Sequence, residues 1–238
     1  MEAGLIIIIP AFNEEARIGT VLDSVREAGP DGEVVVIDDG STDGTAAVSQ
    51  AHGARVISHP FNLGYGAAIQ TGYKYALARR AAFLVQMDAD GQHDPREIRG
   101  LLEPVRLGEC DLAIGSRFLA ETGYRMSLAR SLGRSVLKWL GRRAGVNVAD
   151  PTSGFQAMNR AVLLLYARDF FPHDYPDVDV LVMAVRHGLR LREVSTPMAQ
   201  SPRESMLHGG RREIYYAYRM LLALWAAWAA REVTGGTG

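Results

Sequence analysis

Two aspartates, Asp88 and Asp90, stand just after an apolar run at residues 82–85. Side chains two residues apart on an extended segment project to the same side, and carboxylates held that close repel each other. A hard divalent cation relieves this repulsion, since Mg²⁺ or Mn²⁺ takes oxygen ligands and often keeps substrate phosphates in its shell. Gln92 could add a neutral oxygen to the same metal. His93 could also be a ligand, but a single histidine beside a turn is more often polar surface. The pattern predicts a metal–phosphate site; a solvated acidic turn is the alternative.

A second acidic pair, Asp38 and Asp39, follows the apolar residues 34–37. An ionised carboxylate only accepts hydrogen bonds, so Asp38 or Asp39 could receive them from the N–H groups of a nucleobase. The alternative is a carboxylate that caps a helix or a turn. Gly64 and Gly66 lie in a later loop and allow the backbone to approach a ligand closely, although this spacing alone is weak support for a nucleotide site.

The elements that must position these residues alternate between strands and helices. Strands are predicted at 5–9, 34–37, 55–58, 82–88 and 111–115, and amphipathic patterns between them predict helices. Such alternation is typical of an α/β fold with a Rossmann-like, mostly parallel central sheet and helices on both faces. Ligands of these sheets bind beyond the carboxyl ends of the strands, where the acidic residues stand.

The composition excludes several classes of protein. The chain has 238 residues with 47% hydrophobic residues, so it can bury a core. Its net charge of −1 argues against a nucleic-acid-binding protein. A single cysteine, Cys110, allows neither an intrachain disulfide nor a cysteine zinc site. No signal peptide is visible, and the most apolar late segment, 214–230, is interrupted by Arg219, so no membrane span is predicted.

The order and spacing of six motifs resemble the inverting family 2 glycosyltransferases with the GT-A fold. More narrowly, the chain resembles the branch that makes dolichol- or polyprenyl-phosphate sugars. The motifs read IPAFNE at 9–14, VIDDGSTDGT at 36–45, NLGYG at 62–66, MDADGQH at 87–93, GSRF at 115–118 and DPTSGF at 150–155. The resemblance extends over roughly residues 5–207 and is more specific for the superfamily than for the acceptor.

The resemblance implies a role for each matching residue. Asp88, Asp90 and Gln92 would hold Mg²⁺ or Mn²⁺ against the diphosphate, and Arg117 would lie near the transferred sugar or the acceptor phosphate. The residues that would bind the nucleotide sugar are Pro10, Ala11, Phe12, Glu14, Asp39, Gly64, Asp88, Ala89, Ser153, Gly154, Arg203 and Ser205. Arg203 and Ser205 belong to the segment PRESM at 202–206, which matches a flexible basic loop of the family that closes over the diphosphate. Many relatives carry a lysine after this serine, where this chain has Met206.

The acceptor decides whether the reaction needs a base. A lipid phosphate is already an anionic nucleophile, whereas a hydroxyl acceptor needs a base within hydrogen-bond reach. Asp179 stands where relatives often carry an acidic residue, and it joins Asp90 and Arg117 as a candidate catalytic residue. The alternative, that Asp179 only orients a helix or pairs with an arginine, stays open.

Residues 124–143 form a pattern with cations every four positions, among them Arg130, Arg134 and Lys138. A basic amphipathic helix suits an anionic membrane surface or a lipid phosphate, and the alternative is an ordinary solvated helix face. A second apolar segment follows after residue 211. We therefore predict a catalytic domain at 1–210, and a C-terminal helical extension (an amphipathic helix and a flexible tail) at 211–238.

Together these features predict transfer of mannose or glucose, from GDP-mannose or UDP-glucose, to a polyprenyl phosphate with inversion. The enzyme would be peripheral at the cytoplasmic, inner face of the cell membrane and would have no nucleic-acid partner. Two alternatives remain: a family 2 transferase with a saccharide or other hydroxyl acceptor, and a non-catalytic sugar-nucleotide-binding subunit of a membrane complex. A separate membrane subunit is a possible partner of the C-terminal helix.

Overall fold

The computed structural model describes residues 4–117, 119, 141–143, 145–173 and 176–197. The predictions for Arg130, Arg134 and Lys138, for Arg203 and Ser205, and for the segment 211–238 lie outside these residues.

A seven-stranded sheet forms the centre of the described structure, in the order β3-β2-β1-β4-β6-β5-β7. All neighbouring strands are parallel except at β6, which runs antiparallel to both β4 and β5. The prediction of a mostly parallel sheet is therefore confirmed. The strands are β1 (Leu5–Ala11), β2 (Gly32–Asp38), β3 (Arg55–Ser58), β4 (Phe83–Gln86), β5 (Leu112–Ser116), β6 (Gln156–Asn159) and β7 (Leu191–Ser195).

Helices cover both faces of the sheet, as predicted. They are α1 (Glu15–Ala28), α2 (Thr45–Ala51), α3 (Tyr65–Ala78), α4 (Ile98–Arg106), α5 (Arg160–Tyr166) and α6 (Val178–Arg186), with a short 3₁₀ turn at Pro95–Glu97 before α4. Strand β1 shows how one strand serves two cores. Ile6 and Ile8 pack in the cluster that includes α3, α5 and α6, whereas Ile7 and Ile9 pack in the cluster with α1 and α4. Every residue of β1 is buried, which explains its continuous apolar run.

The register of the strands brings three loops to one edge of the sheet. Ala11 at the end of β1 pairs with Asp38 at the end of β2, and Ile8 pairs with Gln86 at the end of β4. The chain leaves all three strands at this edge because parallel strands point their carboxyl ends the same way. Among the described helices, none is both long and apolar enough to cross a membrane.

Candidate active site

A cavity of about 540 Å³ opens at the carboxyl ends of β1, β2 and β4. It collects the nucleotide-sugar residues predicted from the sequence that the structure describes: Pro10, Ala11, Phe12, Glu14, Asp39, Gly64, Asp88, Ala89, Ser153 and Gly154, together with Asp90. The other lining residues have no role predicted from the sequence: Asn62, Tyr65, Ala68, Gln86, Thr152, Gln156, Pro176 and Asp177. The individual roles of the predicted nucleotide-sugar residues in binding remain predictions.

Asp88 receives one hydrogen bond on each carboxylate oxygen. The Tyr65 hydroxyl donates to Oδ1 at 2.9 Å, and Nε2 of His93 lies 3.0 Å from Oδ2. Burial tends to raise the pKa of Asp88, but the bonds from His93 and Tyr65 and the charge of Arg117 hold that pKa below its ordinary value. The side chain is 31% exposed, so the carboxylate is fixed in orientation yet still open to a ligand.

Gly154 lies directly against this carboxylate. A Cβ atom on Gly154 would stand 2.6 Å from Oδ2 of Asp88 and 2.9 Å from Oδ1. These separations are shorter than carbon–oxygen contacts in proteins, so the absence of a side chain at 154 leaves the space that Asp88 occupies.

Asp90 and Gln92 form a second polar group beside Asp88. Oδ1 of Asp90 accepts from the backbone N–H of Gln92 at 3.0 Å, and Oδ2 lies 2.5 Å from the amide nitrogen of Gln92. Gln92 is not among the residues that line the cavity itself. Within the described residues, no three His, Cys, Asp or Glu side chains are grouped closely enough to hold a metal. Two carboxylates and an amide oxygen are hard oxygen ligands of the kind that Mg²⁺ or Mn²⁺ takes, and the assignment of Asp88, Asp90 and Gln92 to a metal stays a prediction.

Asp39 is buried and organises the glycine loop. Its oxygens accept from the backbone N–H groups of Leu63 and Gly64, both at 2.9 Å, and Oδ1 also lies 2.7 Å from Nδ1 of His59. The other ring nitrogen of His59 contacts Thr71 on α3 at 2.9 Å. Asp39 therefore acts as the turn carboxylate of the alternative reading, while it also lines the cavity, where a nucleobase could reach it.

Glu14 stands at the start of α1, with a side chain that is only 12% exposed. Its backbone N–H donates to Oγ1 of Thr45 at 2.9 Å, and its Oε2 accepts from Nη1 of Arg17 at 3.1 Å. The loops after β1 and β2 are joined further by Asn13, whose Oδ1 accepts from the N–H of Thr42 at 2.9 Å. These bonds hold one wall of the cavity together.

The expectation that His93 is polar surface is wrong. The residue is 7% exposed, and its ring stacks on Phe155 with centroids 4.9 Å apart. Its Nδ1 is buried and finds no hydrogen-bond partner within the described part of the chain, which favours the tautomer that carries its proton on Nε2 and donates to Asp88. A histidine five residues after Asp88 gives no sequence signal for this packing, because Phe155 comes from a distant segment.

Arg117 is held by a buried carboxylate. Its Nε and Nη2 donate to Oδ2 and Oδ1 of Asp150 at 2.7 and 2.9 Å, a bidentate pair. The side chain of Asp150 is fully buried and that of Arg117 is 19% exposed. The backbone N–H of Asp150 in turn donates to Oε1 of Glu193 at 2.8 Å. Arg117 is not a lining residue of the cavity, and its contact with a phosphate stays a prediction.

Asp179 lies in the first turn of α6 and supports the start of that helix. Its Oδ1 accepts from the backbone N–H of Asp177 and from its neighbour Val180, both at 2.9 Å. This geometry favours the reading in which Asp179 orients a helix. Asp177, two residues earlier, lines the cavity instead. An acidic pair at i and i+2 could have suggested either residue, but helix geometry turns them in different directions.

Comparisons with known proteins agree with this geometry. Residues 6–164 match the family model described as glycosyl transferase family 2. The polyprenol monophosphomannose synthase of Mycolicibacterium smegmatis is 32% identical over 222 residues, which cover 84% of this chain and 78% of that protein. The undecaprenyl-phosphate mannosyltransferase of Micrococcus luteus is 32% identical over 219 residues, which cover 87% and 88% of the two chains.

A solved structure has the same architecture. Glucosyl-3-phosphoglycerate synthase of Mycobacterium tuberculosis, in complex with Mn²⁺ and UDP-glucose, superposes with a TM-score of 0.72 at 28% identity, covering 94% of this chain and 79% of that one. The likeness extends over the sheet and its helices and gives the fold as GT-A.

Proposed function

Because this chain belongs to glycosyl transferase family 2, we propose that it transfers a hexose from a nucleoside-diphosphate sugar to a polyprenyl phosphate. The chain is a nucleotide-sugar-dependent glycosyltransferase. The observation that carries the proposal is the cavity that Asp39, after β2, and Asp88 and Asp90, after β4, line together. Relatives named for polyprenyl-phosphate acceptors, which align over more than four fifths of the chain, support the acceptor class.

The role of the residues that would bind the donor follows from the negative charge of the leaving group. The nucleoside diphosphate leaves with additional negative charge, and a divalent cation bound at Asp88, Asp90 and Gln92 would stabilise that charge. Asp39 and the backbone of Gly64 would form the side of the cavity that receives the base. Solved neighbours contain Mn²⁺ with UDP or UDP-glucose, which supports a divalent metal and leaves GDP-mannose and UDP-glucose as the donors to compare.

The part of the site that would bind a lipid phosphate needs positively charged side chains rather than a general base. A lipid phosphate attacks as an anion, so no residue has to remove a proton from it. Arg117, held rigid by Asp150, is the cation that the described structure offers near the ends of these strands. Arg130, Arg134 and Lys138 are proposed to approach the membrane or the acceptor, and Arg203 and Ser205 the diphosphate. The enzyme would then work as a peripheral protein at the cytoplasmic face of the membrane.

A hydroxyl acceptor is the second candidate, and a specific observation favours it. Asp177 lines the cavity at the start of α6, where a carboxylate could serve as the base for a hydroxyl group. A structural neighbour is also named for phosphoglycerate rather than for a lipid. For this candidate, Asp177 replaces Asp179 as the proposed base.

The test is a transfer assay with radiolabelled GDP-mannose and UDP-glucose, Mn²⁺ or Mg²⁺, and a short-chain polyprenyl phosphate or 3-phosphoglycerate. We expect a labelled product that extracts into organic solvent and disappears in Asp90→Ala. Asp169→Ala is the matched control, because it removes a fully exposed carboxylate that does not line the cavity. Label in phosphoglycerate would favour the hydroxyl acceptor, and absence of donor turnover with every acceptor would contradict the proposed function.

A further inference from the structure

A chain of hydrogen bonds runs from the core of the protein to Asp88. The Tyr73 hydroxyl lies 2.5 Å from Oε1 of Gln86, Nε2 of Gln86 lies 2.9 Å from the Tyr65 hydroxyl, and that hydroxyl lies 2.9 Å from Oδ1 of Asp88. Tyr73 and Gln86 are buried, at 1% and 2% exposure, whereas Tyr65 is 37% exposed. This series of hydrogen bonds thus begins at Tyr73 on α3, passes through Gln86 on β4 and returns to Tyr65, the first residue of α3.

The direction of every bond in this chain is determined by its last member. An ionised carboxylate only accepts, so Tyr65 must give its single proton to Asp88. The Tyr65 oxygen can then only accept, and Gln86 must present its amide nitrogen to it. The amide oxygen of Gln86 consequently faces Tyr73, which must donate. All three bonds point toward Asp88, the arrangement in which hydrogen bonds strengthen one another.

Gln86 is an unusual residue for its position. Its neighbours on β4, Leu84 and Val85, are fully buried apolar side chains. A buried amide destabilises a fold unless both its ends are hydrogen-bonded. Here one end is satisfied by Tyr73, and the other is used to orient a tyrosine at the cavity wall. An apolar residue would fill the same strand position without needing either partner, so the amide has its clearest use at Tyr65.

We propose that Tyr65 is a positioning residue of the donor site, which fixes the Asp88 carboxylate in the orientation that the metal–diphosphate requires. Two further contacts restrain Tyr65 itself. Asp39 holds the N–H of Gly64 immediately before it, and Gly66 immediately after it packs against the carbonyls of residues 172 and 173. The metal–diphosphate therefore meets a carboxylate that is already oriented. Binding then costs less conformational entropy, because the Asp88 side chain does not have to be ordered.

The inference rests on the proposed function, because it assigns Asp88 to a metal–nucleotide site. The test compares Tyr65→Phe with Tyr75→Phe by titration calorimetry of UDP and GDP in the presence of Mn²⁺, with thermal melts of the same samples. Tyr75 is a matched control: it is on the same helix, and its hydroxyl also donates to a carboxylate, Glu33, at 2.8 Å, away from the cavity. The calorimetry measures binding and does not depend on turnover.

We expect Tyr65→Phe to raise the Kd of the Mn²⁺–nucleotide about tenfold, because it removes a hydrogen bond to a charged group that water replaces only in part. Tyr75→Phe should leave the Kd unchanged, and the two variants should melt at similar temperatures. In steady state, Tyr65→Phe should raise the donor KM more than it lowers kcat. Gln86→Met should weaken binding in the same direction, and the double variant should be no worse than Tyr65→Phe alone.

The outcomes separate this inference from the proposed function. If the wild type binds a nucleotide but Tyr65→Phe binds it equally well, the positioning role is refuted while the proposed function stands. Additive effects of Tyr65→Phe and Gln86→Met would likewise refute the chain of bonds. If the wild type binds neither nucleotide with Mn²⁺, the proposed function fails and the inference fails with it.

Discussion

The substitution Gly154→Ala tests whether the position of Asp88 matters. The added Cβ would lie 2.6 and 2.9 Å from the two oxygens of the Asp88 carboxylate. An unstrained carbon–oxygen contact is about 3.4 Å, so the carboxylate or the 152–154 loop must move by roughly 0.5–0.8 Å. Asp88 cannot rotate away freely, because Tyr65 holds one oxygen and His93 the other.

The expected effect is large on binding and moderate on folding. Overpacking costs about 1–3 kcal/mol of unfolding free energy, which lowers the Tm of a chain this long by roughly 2–12 °C. Misplacement of a binding group by about 1 Å costs up to ~100-fold in rate, so we expect kcat/KM for the donor to fall about 10- to 100-fold. The Kd of the enzyme for the nucleotide in the presence of Mn²⁺ should rise as well.

The assay is donor turnover together with calorimetric binding, on protein shown to be folded by its thermal melt. Gly100→Ala is the control: a Cβ at Gly100 of α4 would meet nothing within 4 Å. Alanine in a helix is favoured over glycine by about 1 kcal/mol, so that variant should be slightly stabilised and fully active. Wild-type turnover and binding in Gly154→Ala would refute the reasoning that Asp88 is used where the structure holds it.

Three further predictions concern single carboxylates. Asp90→Ala should lower metal-dependent turnover by about 100-fold or more while the circular dichroism spectrum stays native, and unchanged turnover would remove the metal role. Asp150→Asn should cost about 2–4 kcal/mol in urea unfolding, since it leaves the guanidinium of Arg117 without its buried partner; an unaltered midpoint would contradict this. Burial tends to raise the pKa of Asp111, but hydrogen bonds from Arg190 hold that pKa below its ordinary value. The resulting stability is present above the unfolded pKa of about 4 and is lost as the pH falls through the folded pKa, so Asp111→Asn should lose less stability in acid melts than the wild type.

The strands that sequence patterns predict are those with strong local signals. β1 and β2 contain uninterrupted apolar runs, and these runs lie where the strands form. β6 (Gln156–Asn159) and β7 (Leu191–Ser195) give no such signal, because their residues mix polar and apolar types without a clear period. Pairing alone sets the place of β6, which fits antiparallel between β4 and β5. The antiparallel strand was therefore not predictable from local pattern.

The candidate site also has features that the sequence predicts and features that depend on three-dimensional packing. Motif spacing predicts most of the residues that gather at the strand ends. The cavity contains the described nucleotide-sugar residues and Asp90, but neither Gln92 nor Arg117 lines it. Motif spacing does not predict which of two acidic residues in α6 lines the cavity, because that depends on where the helix begins: Asp177 precedes it and Asp179 is inside its first turn. Nor does it predict the support of Asp88 by Tyr65 and His93, since these side chains come from segments whose approach is set by packing of the whole domain.

Asp88, Asp90 and Asp150 differ in their hydrogen-bond partners. These partners distinguish carboxylates that could bind a metal from a carboxylate that stabilises the fold. Asp150 is bound by a guanidinium, so its charge is already cancelled and it has little to offer a cation. Asp88 and Asp90 are bound by a phenol, an imidazole and an amide, which restrain a carboxylate while leaving it most of its negative charge. A divalent cation gains most where negative charge is concentrated and already oriented, because neither repulsion between ligands nor their ordering then has to be overcome on binding. The restraint of Asp88 and Asp90 by a phenol, an imidazole and an amide therefore supports the proposed metal site at this end of the cavity.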